Sequence, residues 1–310
     1  MDTPKFSFVM PAYKRKFLAD TITSILNQTF EDFELIIVDD ASPENLYEVV
    51  KDFSDSRLRY ERNEENLGGK NLVANWNHCL QFAHGEFVVL ATDDDVLAPT
   101  YLEDAALLIA RYPKIDLVRQ GVRKISSTGA PLEFELFPKK YLDGAEFAYF
   151  WGCCGLISCI PNFLFRRTAL IQRGGFVSFP HAHYSDVATA LAMSSHGVAC
   201  VQKWNVGFRM SEVNLSNRTD YHLALDQIQA TNNFLAWLEH YLEQVDDFSA
   251  GRFYATRAFQ GFRNQYFYMM RNLIGKIPRS KMWKAIGAIL DSRYVYKKEK
   301  LMLIGGYFVG

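Results

Sequence analysis

Over its first 120 residues the sequence alternates short apolar runs with stretches of helical periodicity, and nearly every run ends in a polar cluster. FSFVM (6–10) precedes a segment in which Leu18, Ile22, Ile25 and Leu26 recur at helical spacing, closing near Gln28. FELIIV (33–38) follows, with Ser42 and Pro43 placed as cap and first residue of the next helix. RLRYERN (57–63) reads as a third strand, a glycine turn at 66–69 opens a helix over 70–83, and EFVVLA (86–91) is the fourth strand. Pro99 opens a further helix and IDLVRQG supplies a further strand. This alternation predicts βαβ units on a mostly parallel sheet, an α/β fold. In open α/β sheets, ligands gather beyond the carboxyl ends of the strands. The polar clusters occupy those ends: Pro11-Ala12-Tyr13, Asp39-Asp40, Asn66 to Lys70, and Asp93 to Asp95.

The last of these is the most demanding. Asp93, Asp94 and Asp95 follow directly on a run fit for burial, in VVLATDDDVLAP (88–99). Adjacent carboxylates beside a hydrophobic strand cost several kcal/mol, about that of burying a polar group without a partner, unless something compensates them. Two readings stay open on these residues alone. Water solvates a turn that caps the helix after Pro99, or a hard divalent cation is held by carboxylate oxygens and completed by a diphosphate.

The rest of the composition bounds the class. The chain has 310 residues, 49% hydrophobic and 22% charged, with a formal net charge of -1, so it can build a large core and offers nucleic acid no general attraction. MDTPKFSFVM lacks the layout of a secretory signal, and five cysteines without CxxC spacing point to reduced thiols rather than a disulfide frame or a zinc site. A cytoplasmic location is the expectation. Residues 147–165 run uncharged for 19 positions, but two glycines, Pro161, Asn162 and Ser158 favour a buried or cleft-lining segment over a membrane span.

Beyond residue 218 the texture changes to two long amphipathic patterns, the second capped by Ser249 and carrying Phe259, Phe262 and Tyr266 at helical spacings. From Arg252 to Lys300 there are 12 Lys or Arg against 2 Asp or Glu, an excess of +10 in a nearly neutral chain. Either an anionic membrane surface, with the protein peripheral on the inner face of the cell membrane, or a solvated or dimer-forming face accounts for it.

Five motifs, in order, resemble the inverting glycosyltransferases of family 2, which have the GT-A fold: FVMPAYKR with its helix to ILNQTF, ELIIVDDAS, NEENLGGKNLVANWN, GEFVVLATDDDVLAP, and GGF followed by HYSDVATALAMSSHG. They cover residues 6 to about 210. The resemblance implies a Rossmann-like GT-A domain at 1–217, with a nucleotide-binding half to about 120 and an acceptor half beyond it, and a helical appendage at 218–310. It implies a nucleotide-sugar donor, UDP-linked in expectation, a divalent metal (Mn2+ or Mg2+), and a glycan or lipid-linked saccharide acceptor in surface polysaccharide synthesis.

Roles carry over by position. Pro11, Ala12 and Tyr13 match the wall against the base, Asp39 and Asp40 the pair that meets uracil or ribose, and Asn66, Gly68, Lys70 and Asn77 the nucleotide side. Trp76 stands where many relatives have arginine, and Thr92 where the motif's first aspartate usually stands. That alignment makes Asp93 the ribose contact and Asp94, with Asp95 beside it, the metal carboxylates; a literal Asp93-x-Asp95 motif is the alternative. Asp186 matches the base that takes the acceptor's proton, preceded here by Ser185 rather than an acid. Arg209 matches the segment RMSEVNLS that folds over the donor. On the residues themselves, Trp151 and Asn162 either line the acceptor groove, where an aromatic face can stack on a sugar ring, or pack in the core, and His183 reads as polar lining or an acceptor contact. His181 and His222 read as polar lining rather than metal ligands. Two rivals remain from other classes, a sugar-nucleotide nucleotidyltransferase and a non-catalytic carbohydrate- or membrane-binding protein on the same scaffold.

Overall fold

The computed structural model describes residues 3–211, 221–244 and 250–309. The chain divides into two compact units. The first comprises Met1–Gly144, Leu156–Ser178 and Thr189–Ser211, and the second Ala145–Gly155, Phe179–Ala188 and Glu212–Gly310.

The first unit holds all the strands: β1 (Phe6–Ala12), β2 (Phe33–Asp39), β3 (Leu58–Arg62), β4 (Phe87–Leu90), β5 (Val96–Leu97), β6 (Leu117–Arg119), β7 (Val122–Ile125), β8 (Pro131–Phe134), β9 (Tyr141–Leu142), β10 (Phe163–Arg166), β11 (Val198–Cys200) and β12 (Val206–Arg209). Eight make one sheet in the order β3-β2-β1-β4-β10-β6-β11-β9. The four leading strands are parallel, as expected for a GT-A nucleotide-binding half, so their carboxyl ends share one edge. Antiparallel β10 then separates them from the parallel pair β6 and β11. A second sheet, β5-β12-β7-β8, begins directly after the acidic triplet.

The helices are α1 (Leu18–Leu26), α2 (Tyr47–Val50), α3 (Leu72–Leu80), α4 (Tyr101–Arg111), α5 (Gly144–Cys154), α6 (Arg167–Gln172), α7 (Ser185–Ala192), α8 (Tyr221–Glu243), α9 (Ala250–Ile274), α10 (Met282–Asp291) and α11 (Lys297–Val309). Leu18, Ile22 and Ile25, one stripe of α1, are fully buried against Phe6, Phe8, Leu35 and Ile37. The Ser42-Pro43 helix start is corrected. Asn45 takes a left-handed conformation and the helix begins only at Tyr47, while the Ser42 hydroxyl donates to the Tyr13 carbonyl at 2.6 Å. The same hydroxyl accepts the Glu44 N–H at 3.1 Å, so Ser42 caps a turn ahead of the helix and not the helix itself.

The uncharged stretch 147–165 is broken into the end of α5, an irregular connection, a single 3-10 turn and β10. Among the described residues no helix is long and apolar enough to cross a membrane, and all five cysteines are free thiols.

In the second unit, α8 and α9 lie side by side, with Phe234 and Phe262 rings 5.2 Å apart. A methyl at Gly261 would sit 2.2 Å from the Gly152 carbonyl, so α5 and α9 touch backbone to backbone where GCCG supplies small residues. Ser249, Asn214 and Ser216 lie outside the described residues.

Candidate functional site

The carboxyl ends of β1, β2 and β4 are tied together by backbone and side chain. The Asp40 N–H donates to the Ala12 carbonyl at 2.9 Å. One oxygen of Asp93 accepts the N–H groups of Tyr13 (2.8 Å) and Lys14 (2.7 Å), fastening the chain after β1 to the triplet. Asp39 and Asp40 are buried and heavily used. Asp39 accepts from the Ser42 N–H, the Tyr60 hydroxyl and the Arg62 guanidinium. Asp40 accepts from Asn63 and from the backbone of Leu67 and Gly68, each at 2.8 Å, and thereby shapes the glycine turn. A methyl at Gly68 would stand 2.9 Å from the Asp40 carboxylate, which is why a glycine serves there. Behind this edge is an open cavity of about 480 Å³ lined by Ser42, Asn45, Tyr47, Tyr60 and Arg62.

The triplet is buried, 2–7% exposed, and its charge is met by protein cations. The Lys14 ammonium lies 2.8 Å from Asp94 and 3.4 Å from Asp93. Burial pulls its pKa down, but the two carboxylates outweigh that and raise it. Antiparallel pairing of β5 with β12 delivers Arg209 from 114 positions away. Its N–H binds one oxygen of Asp95 at 2.8 Å, and its guanidinium caps the Asp94 carbonyl at 2.7 Å and lies over the Phe17 ring. The other Asp95 oxygen accepts from the Thr92 hydroxyl at 2.8 Å. Burial first, then the charge of Asp94, push the Asp95 carboxyl up to about 7, and burial also raises Asp93. Both shifts have the direction expected where burial costs carboxylate charge more than the nearby cations return.

Among the described residues no hydrogen-bond donor reaches Oδ1 of Asp94, and no group of three or more potential metal ligands converges. One or two carboxylates with room for substrate oxygens is the donor set magnesium or manganese accepts when phosphates complete the shell. The residues present therefore fit a divalent ion brought in with a diphosphate.

In the second unit, Asp186 opens α7, its carboxylate accepting the next residue's N–H at 2.8 Å, where the helix dipole favours the charged form. The residues before it are strained: His181, Ala182 and Tyr184 have φ of +54°, +56° and +66°. With Ala41 and Asn45 they make up all the described non-glycine residues in the left-handed region, so both strained segments border candidate site residues. The segment is held by Tyr184 stacked on Phe234 at 4.4 Å and by His181 bonded to Asp226 at 2.9 Å. Nε2 of His183 is buried without a partner among the described residues, and burial, then His181, lower this ring's pKa to about 4. Trp151 is buried on α5.

The pattern described as Glycosyl transferase family 2 matches residues 7–174, more than half of the chain. The chain belongs to glycosyl transferase family 2. Curated family relatives include a GalNAc(5)-diNAcBac-PP-undecaprenol beta-1,3-glucosyltransferase of Campylobacter jejuni, 39% identical over 30% of this chain and 31% of its own. Another is a UDP-Glc:alpha-D-GlcNAc-diphosphoundecaprenol beta-1,3-glucosyltransferase of Escherichia coli, 34% identical over 33% of this chain and 40% of its own. The matches span less than half the length of these relatives. Residues 1–349 of Staphylococcus aureus TarS share the fold, with a TM-score of 0.68 at 17% identity over 97% of this chain and 81% of that one. The GT-A architecture is thus common to both.

Against the family 2 expectations, the structure gathers Ala12, Tyr13, Asp39, Asp40, Gly68, Asp93, Asp94, Asp95 and Arg209 within one bonded network, with Pro11 beside Ala12 on β1. Asn66 shapes the same turn by accepting the Gly69 N–H. Lys70 is exposed and paired with Glu65 at 2.6 Å. Asn77 accepts the Phe176 N–H at 2.8 Å while neighbouring Trp76 packs on the Phe176 ring, so this part of α3 anchors the GGF turn. Asn162 is wholly buried, its amide donating to the Gln120 carbonyl. Lys14, Ser42 and Arg62 are the members that sequence reasoning missed. Lys14 follows Tyr13 directly in PAYKR, and a lysine at the carboxyl end of the first strand, the edge where the acidic clusters were expected, was the available signal.

Proposed function

We propose that the protein is an inverting, metal-dependent glycosyltransferase that moves a sugar from a UDP-linked donor to a glycan or lipid-linked saccharide, peripheral to the membrane that carries the acceptor. The observation that carries this reading is the wiring of the triplet: Asp93 held by two backbone N–H groups beside Tyr13, and Asp94 keeping one oxygen for a cation. Two relatives support it, since their names give diphosphoundecaprenol-linked sugars as acceptors and one of them takes UDP-Glc. TarS has been crystallised with UDP-GlcNAc, and a Pyrobaculum calidifontis mannosyltransferase of the same fold (TM-score 0.58) with GDP-Man and Mn2+.

In this mechanism Tyr13 and the 66–68 turn border the base, Asp93 meets the ribose, and Asp94 holds the metal with Asp95 supporting it. A bound divalent ion would offset the charge that grows on the departing diphosphate. Asp186 accepts the proton of the acceptor hydroxyl as that oxygen bonds to the anomeric carbon from the face opposite the bond to the diphosphate, which breaks with its electron pair. Arg209 keeps Asp94 and Asp95 in place.

The test is incubation of the purified protein with UDP-sugars, manganese and diphosphate-lipid-linked saccharides. Transfer or donor hydrolysis that Asp94→Ala and Asp186→Asn both abolish, with UDP still bound by the latter, supports the reading. Pyrophosphate exchange marks a nucleotidyltransferase and binding without turnover a non-catalytic scaffold, and either result overturns it.

A further inference from the structure

The last two helices of the second unit are apolar on the side that packing does not use. On α10, Ala285 and Ile289 are buried, yet Trp283 and Leu290, seven residues apart and so on one face, are 67% and 54% exposed. On α11, Leu303 is buried while Leu301 and Met302 are 72% and 58% exposed. The flanking cations are exposed too. Lys297 and Lys298 open α11, and Lys276 and Arg279 precede α10. The acids of the region do not neutralise them all: Glu299 is spent on Arg263 at 2.9 Å, leaving Asp291.

A helix face carrying Trp and Leu among lysines suits a boundary where apolar side chains enter and ammonium groups stay outside. A nucleic acid would use the charges but gain little from four large apolar side chains, and a protein interface core, depleted in charge, would gain little from the lysines. Charge complementarity selects the anionic lipid surface. We propose that the outward faces of α10 and α11 dock the protein on an anionic bilayer, with Trp283, Leu290, Leu301 and Met302 entering the interface and Lys297 and Lys298 binding lipid headgroups. The proposal rests on the reading of a lipid-linked acceptor for its purpose, but its evidence lies in the second unit alone.

The experiment is sedimentation of the full chain with vesicles of phosphatidylcholine alone or with 30% phosphatidylglycerol, read together with UDP binding in the absence of lipid. Parent protein is expected to pellet with the anionic vesicles, with a blue shift in tryptophan emission that Trp283→Phe removes. Each lysine lost at the surface should lower partitioning about fivefold, so Lys297→Glu/Lys298→Glu should release the protein while melting temperature and UDP binding stay unchanged. Leu301→Ser/Met302→Ser should weaken binding without altering its salt dependence. Failure to pellet at low salt with UDP binding intact overturns the docking surface and leaves the enzymatic reading standing. So does vesicle binding indifferent to all these substitutions, or substitutions that alter only the oligomeric state. Loss of UDP binding in the parent strikes the enzymatic reading instead.

Discussion

Replacing Lys14 by methionine removes the ammonium from the acidic triplet while keeping the backbone N–H that holds Asp93. At 2.8 Å from Asp94, the ammonium gains roughly 6 kcal/mol of Coulomb energy for an effective dielectric near 20. Desolvation offsets most of it, and about a quarter of the lysine side chain stays in water, so a net loss of about 1–3 kcal/mol in unliganded stability is expected. The same substitution leaves three buried carboxylates without their nearest cation and takes away the competitor for Asp94. Manganese should therefore bind Lys14→Met without nucleotide about tenfold more tightly than it binds the parent, a change of about 1.4 kcal/mol. Calorimetric titration with manganese, beside thermal melts with and without the ion, measures both effects, and Lys14→Arg should restore parent behaviour in each. A Lys14→Met protein that melts with the parent and binds manganese no better would refute the claim that a lysine stands in for the metal.

Other expectations follow from the same geometry. Glu135 is fully buried, receives both arms of Arg119 at 2.7 and 3.0 Å, and accepts the N–H groups of Val122 and Ile157; Glu135→Ala should cost about 3–5 kcal/mol in urea unfolding by stranding Arg119. Gly68→Ala, which sets a methyl against a carboxylate pinned by three bonds, should weaken UDP binding in calorimetry and lower the melting temperature. His183 has a folded pKa of about 4 against about 6.5 unfolded, so the unfolded chain takes up the proton first as pH falls. Its contribution is complete above pH 6.5 and is lost towards pH 4, and His183→Phe should lose about 1–2 kcal/mol less stability than the parent between pH 7 and 5.

The strands of the nucleotide-binding half were legible because Phe8, Leu35, Ile37 and Val89 sit in runs buried on a central sheet, and such runs need no partner to be recognised. The positions of Asp39, Asp40 and Asp93 were legible for a related reason: parallel strands place their carboxyl ends at one edge whatever the loops do. Ser42 was misread as the helix cap because it does make a local bond, accepting the Glu44 N–H, while the left-handed Asn45 that delays the helix to Tyr47 carries no local signal. Sequence could not show that Asn77 accepts the Phe176 N–H or that the Asn162 amide donates to the Gln120 carbonyl, since both contacts join distant parts of the chain.

Local pattern by itself determined the α/β class, the two long C-terminal helices, the basic excess there and the set of carboxylates around which a site can form. Each of these depends on periodicity or composition within a few turns of chain. Tertiary structure alone decided what those carboxylates do. Whether an aspartate is a scaffold or a ligand depends on which donors reach each of its oxygens, and here those donors come from Lys14, Leu67, Gly68 and Arg209, between 27 and 114 residues away. No spacing rule encodes such distances, because they are set by strand order and by the pairing of β5 with β12.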